Sequence, residues 1–185
     1  GIRDLTVTGV QTGALPIFWD RVRDHPSLDK VLVYEATYLD NVFHIILTPG
    51  LWAFNMLEAW TRGSVWTGTG KVLGDWEDLK PRNEYAHQIT GAYYSARLGV
   101  LEHMDSMRRS GACLIWRDIG PEYWAPVGVW LIRETVREAM KRTPRQFDSL
   151  KHAIDYVAPK VSAPDDLCNS WFVKRGRQTR LDSFA

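Results

Sequence analysis

The residues best suited to chemistry lie between Gly91 and Arg137, where aromatic side chains alternate with arginine and glutamate. Arginines hold phosphates, and aromatic rings stack against nucleobases. The loop around Tyr123 and Trp124 contains two prolines, which exclude a regular helix or strand. Its rings must either pack on the core or bind a ligand. The candidate nucleotide or nucleic-acid pocket comprises Arg97, Arg117, Glu122, Tyr123, Trp124 and Arg133.

An enzyme acting on nucleic acid or a nucleotide derivative is an alternative use of the same block, and the sequence leaves open whether the chain is catalytic. The five histidines show no metal-ligand spacing and no CxxC pair occurs, so neither a metal nor a cofactor is expected in this chain. Without a shared pocket, the charged residues would form ordinary ion pairs. The enzyme interpretation predicts that at least three of five residues line one pocket: Arg97, Glu102, Arg117, Glu122 and Arg133.

The elements that must position these residues begin with a hairpin. Lys30–Tyr38 and Asn41–Thr48 are rich in β-branched and aromatic residues on either side of a turn, which is typical of antiparallel strands. The apolar run Ile45–Leu47 predicts that the second strand is central and covered on both faces. Further strands are predicted at Lys71–Leu73 and Ala112–Ile119. Helices are predicted at Leu51–Trp60, from Gln88 to a stop at Gly111, and at Val127–Lys141, Asp148–Val157 and Asp165–Val173.

This order of elements predicts an α+β fold, in which helices pack on a small and mostly antiparallel sheet. A mixed α/β arrangement is the alternative. Residues 18–173 are expected to form one globular domain, because 185 residues with 45% apolar content can bury a core. Phe18–Asp29 is interpreted as a connecting segment.

The net charge, the length of the apolar runs and the number of cysteines exclude several classes of protein. The net charge of +1 gives no overall basic field of the kind that marks many nucleic-acid-binding domains. No apolar run approaches the roughly 20 residues that span a bilayer, so no membrane partner and a cytoplasmic location are expected. Cys113 and Cys168 stand far apart and predict reduced thiols rather than a disulfide.

The first residues differ in character from the rest. Gly1–Ile17 resembles the translation of a sequencing-library adapter, which reads VTGVQTCALPI in one frame, and Gly13 stands where that translation has cysteine. We therefore expect residues 1–17 to be a non-native segment of a metagenomic gene fragment, to be set aside when the fold is considered.

The last residues carry the most specific pattern in the chain. Residues 174–185 are basic and contain Gly176, which favours a flexible arm. Within them Gln178, Leu181 and Phe184 have the spacing Q-x-x-L-x-x-F. This spacing resembles the sliding-clamp-binding (PIP) motif of replication and repair proteins, which ends in two aromatic residues. Ala185 occupies the second aromatic position, which predicts weaker binding than a complete motif gives.

The body of the chain resembles the C-terminal domain of the archaeal Nre family of DNA repair proteins, from about Leu32 to the end. This resemblance implies a role in the DNA damage response, a sliding clamp as partner, and DNA or a nucleotide as a further ligand. It also implies a longer protein, whose N-terminal region carries a cysteine-rich zinc element that has no counterpart here. The resemblance rests on Phe43–Trp60, Gly91–Met104, Pro121–Arg137 and the terminal motif.

Three interpretations therefore stand. The chain is a clamp-recruited repair factor, an enzyme that uses the block 91–137, or a structural module that supports the rest of a longer protein. A large exposed apolar face would favour the structural module.

Overall fold

Helices cover both faces of a single sheet. The computed structural model describes residues 5–61, 71–79, 85–123 and 128–182, and within these ranges it describes side chains from residue 14 to residue 176. In chain order the elements are α1 (Leu5–Val22), β1 (Val31–Tyr38), β2 (Asn41–Thr48), β3 (Phe54–Trp60), β4 (Val72–Glu77), α2 (Thr90–Met107), β5 (Ala112–Ile119), α3 (Gly128–Met140), β6 (Arg145–Phe147), α4 (Leu150–Val157), α5 (Pro164–Cys168) and α6 (Trp171–Asp182). A 3-10 turn, Ala158–Lys160, follows α4.

The strands lie in the order β4-β3-β5-β2-β1-β6. The described neighbours pair in antiparallel fashion, except that β3 and β5 run parallel. One core lies between the sheet and α1, α2 and α3, and a second lies between the sheet and α4, α5 and α6. The predicted α+β fold with a small, mostly antiparallel sheet is confirmed.

The predicted hairpin is present as β1 and β2. Leu39 and Asp40 form its turn with φ angles of 46° and 55°. Two successive positive φ angles are typical of the type I′ turn, whose twist matches that of the flanking strands. Side chains alternate across β2, so that Ile45 faces one core and Ile46 the other. The prediction that this strand is central is also confirmed.

The prediction of a helix at Leu51–Trp60 is wrong. Phe54–Trp60 is strand β3, which pairs with β4 on one side and with β5 on the other. Met56 faces the first core and Ala59 faces the second, so apolar residues occupy both sides of the strand. A strand buried on both faces loses the alternation that separates a strand from a helix, and its apolar spacing matched a helix by chance.

Helix α2 lies where it is predicted but ends earlier. Its last residue is Met107, and Arg108 adopts the left-handed conformation with φ of 52°, so the predicted stop at Gly111 is wrong. The close approach of α2 to α3 occurs at Gly99, where a Cβ atom would lie 2.9 Å from Cγ1 of Val136. More of α2 is buried than one apolar stripe, because the helix packs on the sheet and also against α1 and α3.

The two ends of the chain are helical where they are described. Helix α1 includes residues 5–17, which are predicted to be a non-native segment, and it extends into the predicted connecting segment as far as Val22. Trp19 packs against Trp52, with ring centroids 5.1 Å apart. The predicted helix Asp165–Val173 is interrupted between α5 and α6, and α6 continues to Asp182, into the predicted flexible arm.

Candidate functional site

The first predicted site residue, Arg117, lies at one end of the sheet. The parallel strands β3 and β5 both end there, and the antiparallel β2 begins there. Register therefore places Glu58 beside Arg117 and Phe43 on its other side. Alternation directs these three side chains toward the helices α1, α2 and α3.

Arg117 forms a buried polar cluster with the residues around it. Its Nε and Nη2 donate to Asn41 Oδ1 at 2.9 and 2.6 Å, and its Nη1 donates to Glu58 Oε1 at 2.5 Å. The guanidinium carbon lies 5.6 Å from the ring centroids of both Phe43 and Tyr123. All three nitrogens of the guanidinium are used, so this arginine joins the ends of three strands.

The loop after β5 brings two further predicted residues to the same end of the sheet. The Glu122 backbone N–H donates to Asp40 Oδ2 at 2.8 Å, so the loop is held against the β1–β2 turn. Tyr123 is buried over Arg117. Trp124 lies outside the described residues. The structure thus brings Arg117, Glu122 and Tyr123 together.

Arg97 and Arg133 lie elsewhere. Arg97, on α2, donates to Glu77 Oε1 at 2.7 Å, and the same oxygen accepts from Trp52 Nε1 at 2.7 Å. Arg133 pairs with Glu134 on α3 at 3.1 Å. Glu134 in turn accepts from Arg137 at 2.8 Å.

Arg137 completes a network between α3 and α2. It donates to both carboxylate oxygens of Glu102, at 2.7 and 2.6 Å, and the hydrogen bond to Glu102 is the main cause that raises its pKa. The five residues of the enzyme interpretation are therefore divided among three sets of contacts. Only Glu102 and Arg133 belong to one ion-pair network, and the described ion pairs of Arg97 and Arg117 are separate.

A second polar cluster, which is not among the predicted sites, lies on the opposite face of the sheet. Its centre is Glu35 of β1, which lies opposite His44 of β2. Glu35 Oε2 accepts from Tyr156 Oη at 2.8 Å, and Oε1 accepts from Lys160 Nζ at 2.8 Å. Partial burial acts to raise the pKa of Glu35, but these two hydrogen bonds outweigh it and the pKa is lowered.

His44 lies beneath this carboxylate and is 3% exposed. Its Nδ1 is 3.1 Å from Glu35 Oε1, out of line for a hydrogen bond, and among the described residues its Nε2 has no hydrogen-bond partner. The same holds for Nε1 of Trp116, the cross-strand neighbour of His44. Burial lowers the pKa of His44 despite the nearby carboxylates of Glu35 and Asp118, so the imidazole is neutral near pH 7.

Asp118 borders the cluster on β5 and fixes the segment after the 3-10 turn. Its Oδ1 accepts from the backbone N–H of Ser162 at 3.2 Å and from the Ser162 hydroxyl. The one sequence signal for the second cluster is the presence of Glu35 and His44 inside otherwise apolar strands. Register alone decides that they face each other.

No group of three or more histidine, cysteine, aspartate or glutamate residues within the described part of the chain is arranged to hold a metal ion. None of the helices described is both long and apolar enough to cross a bilayer.

The terminal motif adjoins residues that pack on the domain. Phe172 and Val173 are buried in the second core, and Arg175 donates to both carboxylate oxygens of Asp78 at 3.2 and 2.8 Å. At Gly176 a Cβ atom would lie 3.0 Å from Leu150, so α6 approaches α4 closely. The motif itself falls on Gln178 and Leu181, whose side chains lie outside the described set, and on Phe184, which lies outside the described residues.

Comparison with known families decides the relationship of this chain. The model described as "Archaeal Nre, C-terminal" matches residues 77–184, and the model described as "Archaeal Nre, N-terminal" matches residues 6–67. The chain belongs to the archaeal Nre family. The expectation that it holds only the C-terminal domain is too narrow, because part of the N-terminal region is matched as well. That match includes most of the segment 1–17.

Individual relatives agree with the family match. DNA repair protein NreA of Archaeoglobus fulgidus is 36% identical over 86% of this chain and 40% of its own length. DNA repair protein NreA of Haloferax volcanii is 33% identical over 89% of this chain and 40% of its own length. DNA repair protein NreB of Archaeoglobus fulgidus is 34% identical over 89% of this chain and 43% of its own length. The chain thus spans well under half the length of these relatives. No solved structure matches it significantly.

Proposed function

We propose that this chain is part of a DNA repair factor that a sliding clamp recruits through Gln178, Leu181 and Phe184. Membership of the archaeal Nre family supports the repair role, since the relatives above are named DNA repair proteins. The observation that carries recruitment is the spacing Q-x-x-L-x-x-F near the end of the sequence. On a short helical turn Leu181 and Phe184 fall on one side and form an apolar plug, while the Gln178 amide pairs with backbone groups of the clamp.

The packing of α6 adds a geometric consequence to this proposal. Arg175 and Gly176 contact the domain directly, and the motif begins at Gln178. A clamp bound to the motif would therefore be held close to the domain. Such tethering raises the local concentration of the domain on DNA without requiring a strong direct affinity for it, which agrees with the net charge of +1.

Calorimetry with an archaeal sliding clamp tests the recruitment. The wild-type peptide 174–185 is expected to bind, and the peptide with Leu181→Ala and Phe184→Ala is expected to show no binding, because the apolar plug is lost. The matched control is the peptide with Thr179→Ala and Ser183→Ala, which leaves the three motif residues intact and is expected to bind as the wild type does. Absence of wild-type binding, or equal binding by the plug variant, would contradict the proposal.

A variant at Ala185 tests the same binding site of the clamp in more detail. The related motif has a second aromatic residue there, so Ala185→Phe is expected to strengthen binding by about 1–3 kcal/mol, which is the usual contribution of a buried ring at an interface. An Ala185→Ser peptide controls for the change of residue. If Ala185→Phe leaves the affinity unchanged, the second aromatic site of the clamp is not used.

The alternative is an enzyme that uses residues of the block 91–137. Its supporting observation would be at least three of its five candidate residues around one pocket. The described structure instead divides them among separate contacts with Glu77, Glu58 and Arg137.

A further inference from the structure

Three cationic side chains meet at the β6 edge of the sheet. Arg142 lies two residues after the end of α3, Arg145 begins β6, and Lys160 ends the 3-10 turn after α4. All three residues are exposed. They come from separate elements, so only the folded chain brings them together around Glu35 and Tyr156.

The contacts hold these cations in place. Lys160 Nζ lies 2.8 Å from Glu35 Oε1 and 3.5 Å from the centroid of the Tyr156 ring. Arg145 places its guanidinium carbon 5.1 Å from the same centroid. Arg142 Nη1 donates to the backbone oxygen of Glu35 at 3.1 Å, which leaves its other nitrogens available. A cation held over an aromatic ring keeps its charge and loses little freedom when it binds an anion.

The balance of charge at this edge favours an anion. Nearby lysines each have a carboxylate of their own in the described structure: Lys30 with Asp148, Lys141 with Glu138, and Lys151 with Asp155. Among the described carboxylates, Glu35 pairs with Lys160, whereas Arg142 and Arg145 are not in an ion pair. The two arginines therefore carry the positive charge that the described carboxylates do not neutralise. A guanidinium group can donate two parallel hydrogen bonds to a phosphate.

A groove beside Arg142 supplies a second and independent observation. It has a volume of about 320 Å³ and lies between the end of β1 and α3. Two glutamates, Glu134 and Glu138, also line it, and each is paired with a cation, Arg137 and Lys141 respectively. Two large rings on its walls are exposed, Trp130 by 52% and Tyr38 by 46%. Arg142 lies at this groove, and Arg145 and Lys160 follow around the edge of the sheet, against the Tyr156 ring. Exposed rings combined with a track of cations are the usual means by which proteins hold single-stranded nucleic acid, through base stacking and phosphate contacts.

We propose that this edge binds single-stranded nucleic acid, with phosphates on Arg142, Arg145 and Lys160 and bases stacked on Trp130 and Tyr38. This site is separate from the pocket around Arg117 that the sequence predicts. An acidic peptide would satisfy the cations but would leave the exposed rings without a stacking partner. The inference takes its biological setting from the proposed repair role, and it does not depend on the clamp motif.

Fluorescence anisotropy with the full 185-residue chain and a labelled oligothymidine of about 16 nucleotides tests the proposal. Arg142→Gln with Arg145→Gln is expected to weaken binding at least tenfold. It should also flatten the slope of log affinity against log salt by about 1.4, because each phosphate contact on a single strand contributes about 0.7. Lys30→Gln with Lys151→Gln removes the same charge from cations that have carboxylate partners outside the groove, and it is expected to change affinity less than twofold.

A variant of the aromatic ring Trp130 tests base stacking without changing the arginines. Trp130→Ala is expected to weaken binding about tenfold and to leave the salt slope unchanged, because a stacked base contributes affinity without releasing counterions. Circular dichroism and the urea midpoint confirm that each variant is folded.

Several results would overturn the site. These are no oligothymidine binding by the wild type, equal losses in the arginine and lysine variants, or equal binding of a poly-glutamate peptide. Clamp binding by the peptide 174–185 is measured separately, so failure of the nucleic-acid site and failure of clamp recruitment are distinguishable.

Discussion

The two polar clusters lie on opposite faces of the same strands and differ mainly in their access to water. On the face of α1, α2 and α3, the side chains of Arg117 and Glu58 are 5% and 6% exposed. On the face of α4, α5 and α6, those of Lys160 and Glu35 are 37% and 32% exposed. An ion pair of a basic residue with glutamate is therefore buried at the strand ends on the first face, whereas a similar pair is exposed to solvent on the second.

The covering elements explain the difference. Arg117 lies under the rings of Phe43 and Tyr123, and each of its three guanidinium nitrogens already donates to Asn41 or Glu58. On the other face, α4 is short and the chain turns away at Ala158–Lys160, so that Glu35 remains half-buried beside exposed cations. An ion pair that water cannot reach supports the fold, and one at the rim can exchange partners.

Breaking the buried cluster is expected to have the largest effect. Arg117→Met leaves the Glu58 carboxylate and the Asn41 amide buried without their partner. Removing one member of a buried ion pair costs about 3–5 kcal/mol, so the free energy of unfolding should fall by about that amount in urea titrations. The double variant Arg117→Met with Glu58→Met is expected to be more stable than Arg117→Met alone. A single variant as stable as the wild type would show that the cluster does not hold the strand ends together.

Acid is expected to destabilise both faces, with a smaller effect. Burial lowers the pKa of His44 on one face and of His103 on the other. Below the ordinary histidine value of about 6.5, the unfolded chain therefore binds protons that the folded chain does not bind. Stability should be fully present above that pH and should fall as the pH drops through the depressed folded values.

Urea titrations from pH 7.5 to pH 5 measure this loss, a range of about one unit or more on either side of the ordinary histidine value. His44→Gln and His103→Gln should each flatten the dependence, and the exposed His152→Gln is the control. A pH profile that neither substitution changes would assign the acid loss to other groups.

The rim pair is expected to give the smallest effect. Lys160→Met removes the ion pair with Glu35 but keeps the aliphatic contact with Tyr156, so the free energy of unfolding should change by about 1 kcal/mol or less. Lys151→Met, which breaks the exposed pair with Asp155, is the control for a surface lysine. A loss as large as that of Arg117→Met would remove the distinction between the two faces.

The candidate sites show where prediction from the sequence ends. Arg117 and Tyr123 are predicted to lie close together and do, because Arg117 lies near the end of β5 and Tyr123 lies in the loop that follows this strand. Arg97 and Arg133 are predicted to share that pocket, but their partners Glu77 and Glu134 come from other parts of the fold. The cluster around Glu35 was not predicted, since Glu35 and Tyr156 are far apart in the chain and meet only when α4 packs on β1. Gln178, Leu181 and Phe184 remain a prediction.

The local sequence is sufficient to predict the hairpin of β1 and β2, the strand Ala112–Ile119 and the helices α2, α3 and α4. In these segments local propensity, turn residues and apolar spacing agree. The assignment of Phe54–Trp60 as a strand depends on the tertiary structure, because the strand pairs between β4 and β5 and both of its faces lie in apolar cores, which removes the alternation that marks strands. The tertiary structure also determines which charged side chains are buried and which are exposed to water. Strand register and helix packing determine the exposure of these side chains to water, and neither can be predicted from the local spacing of residues.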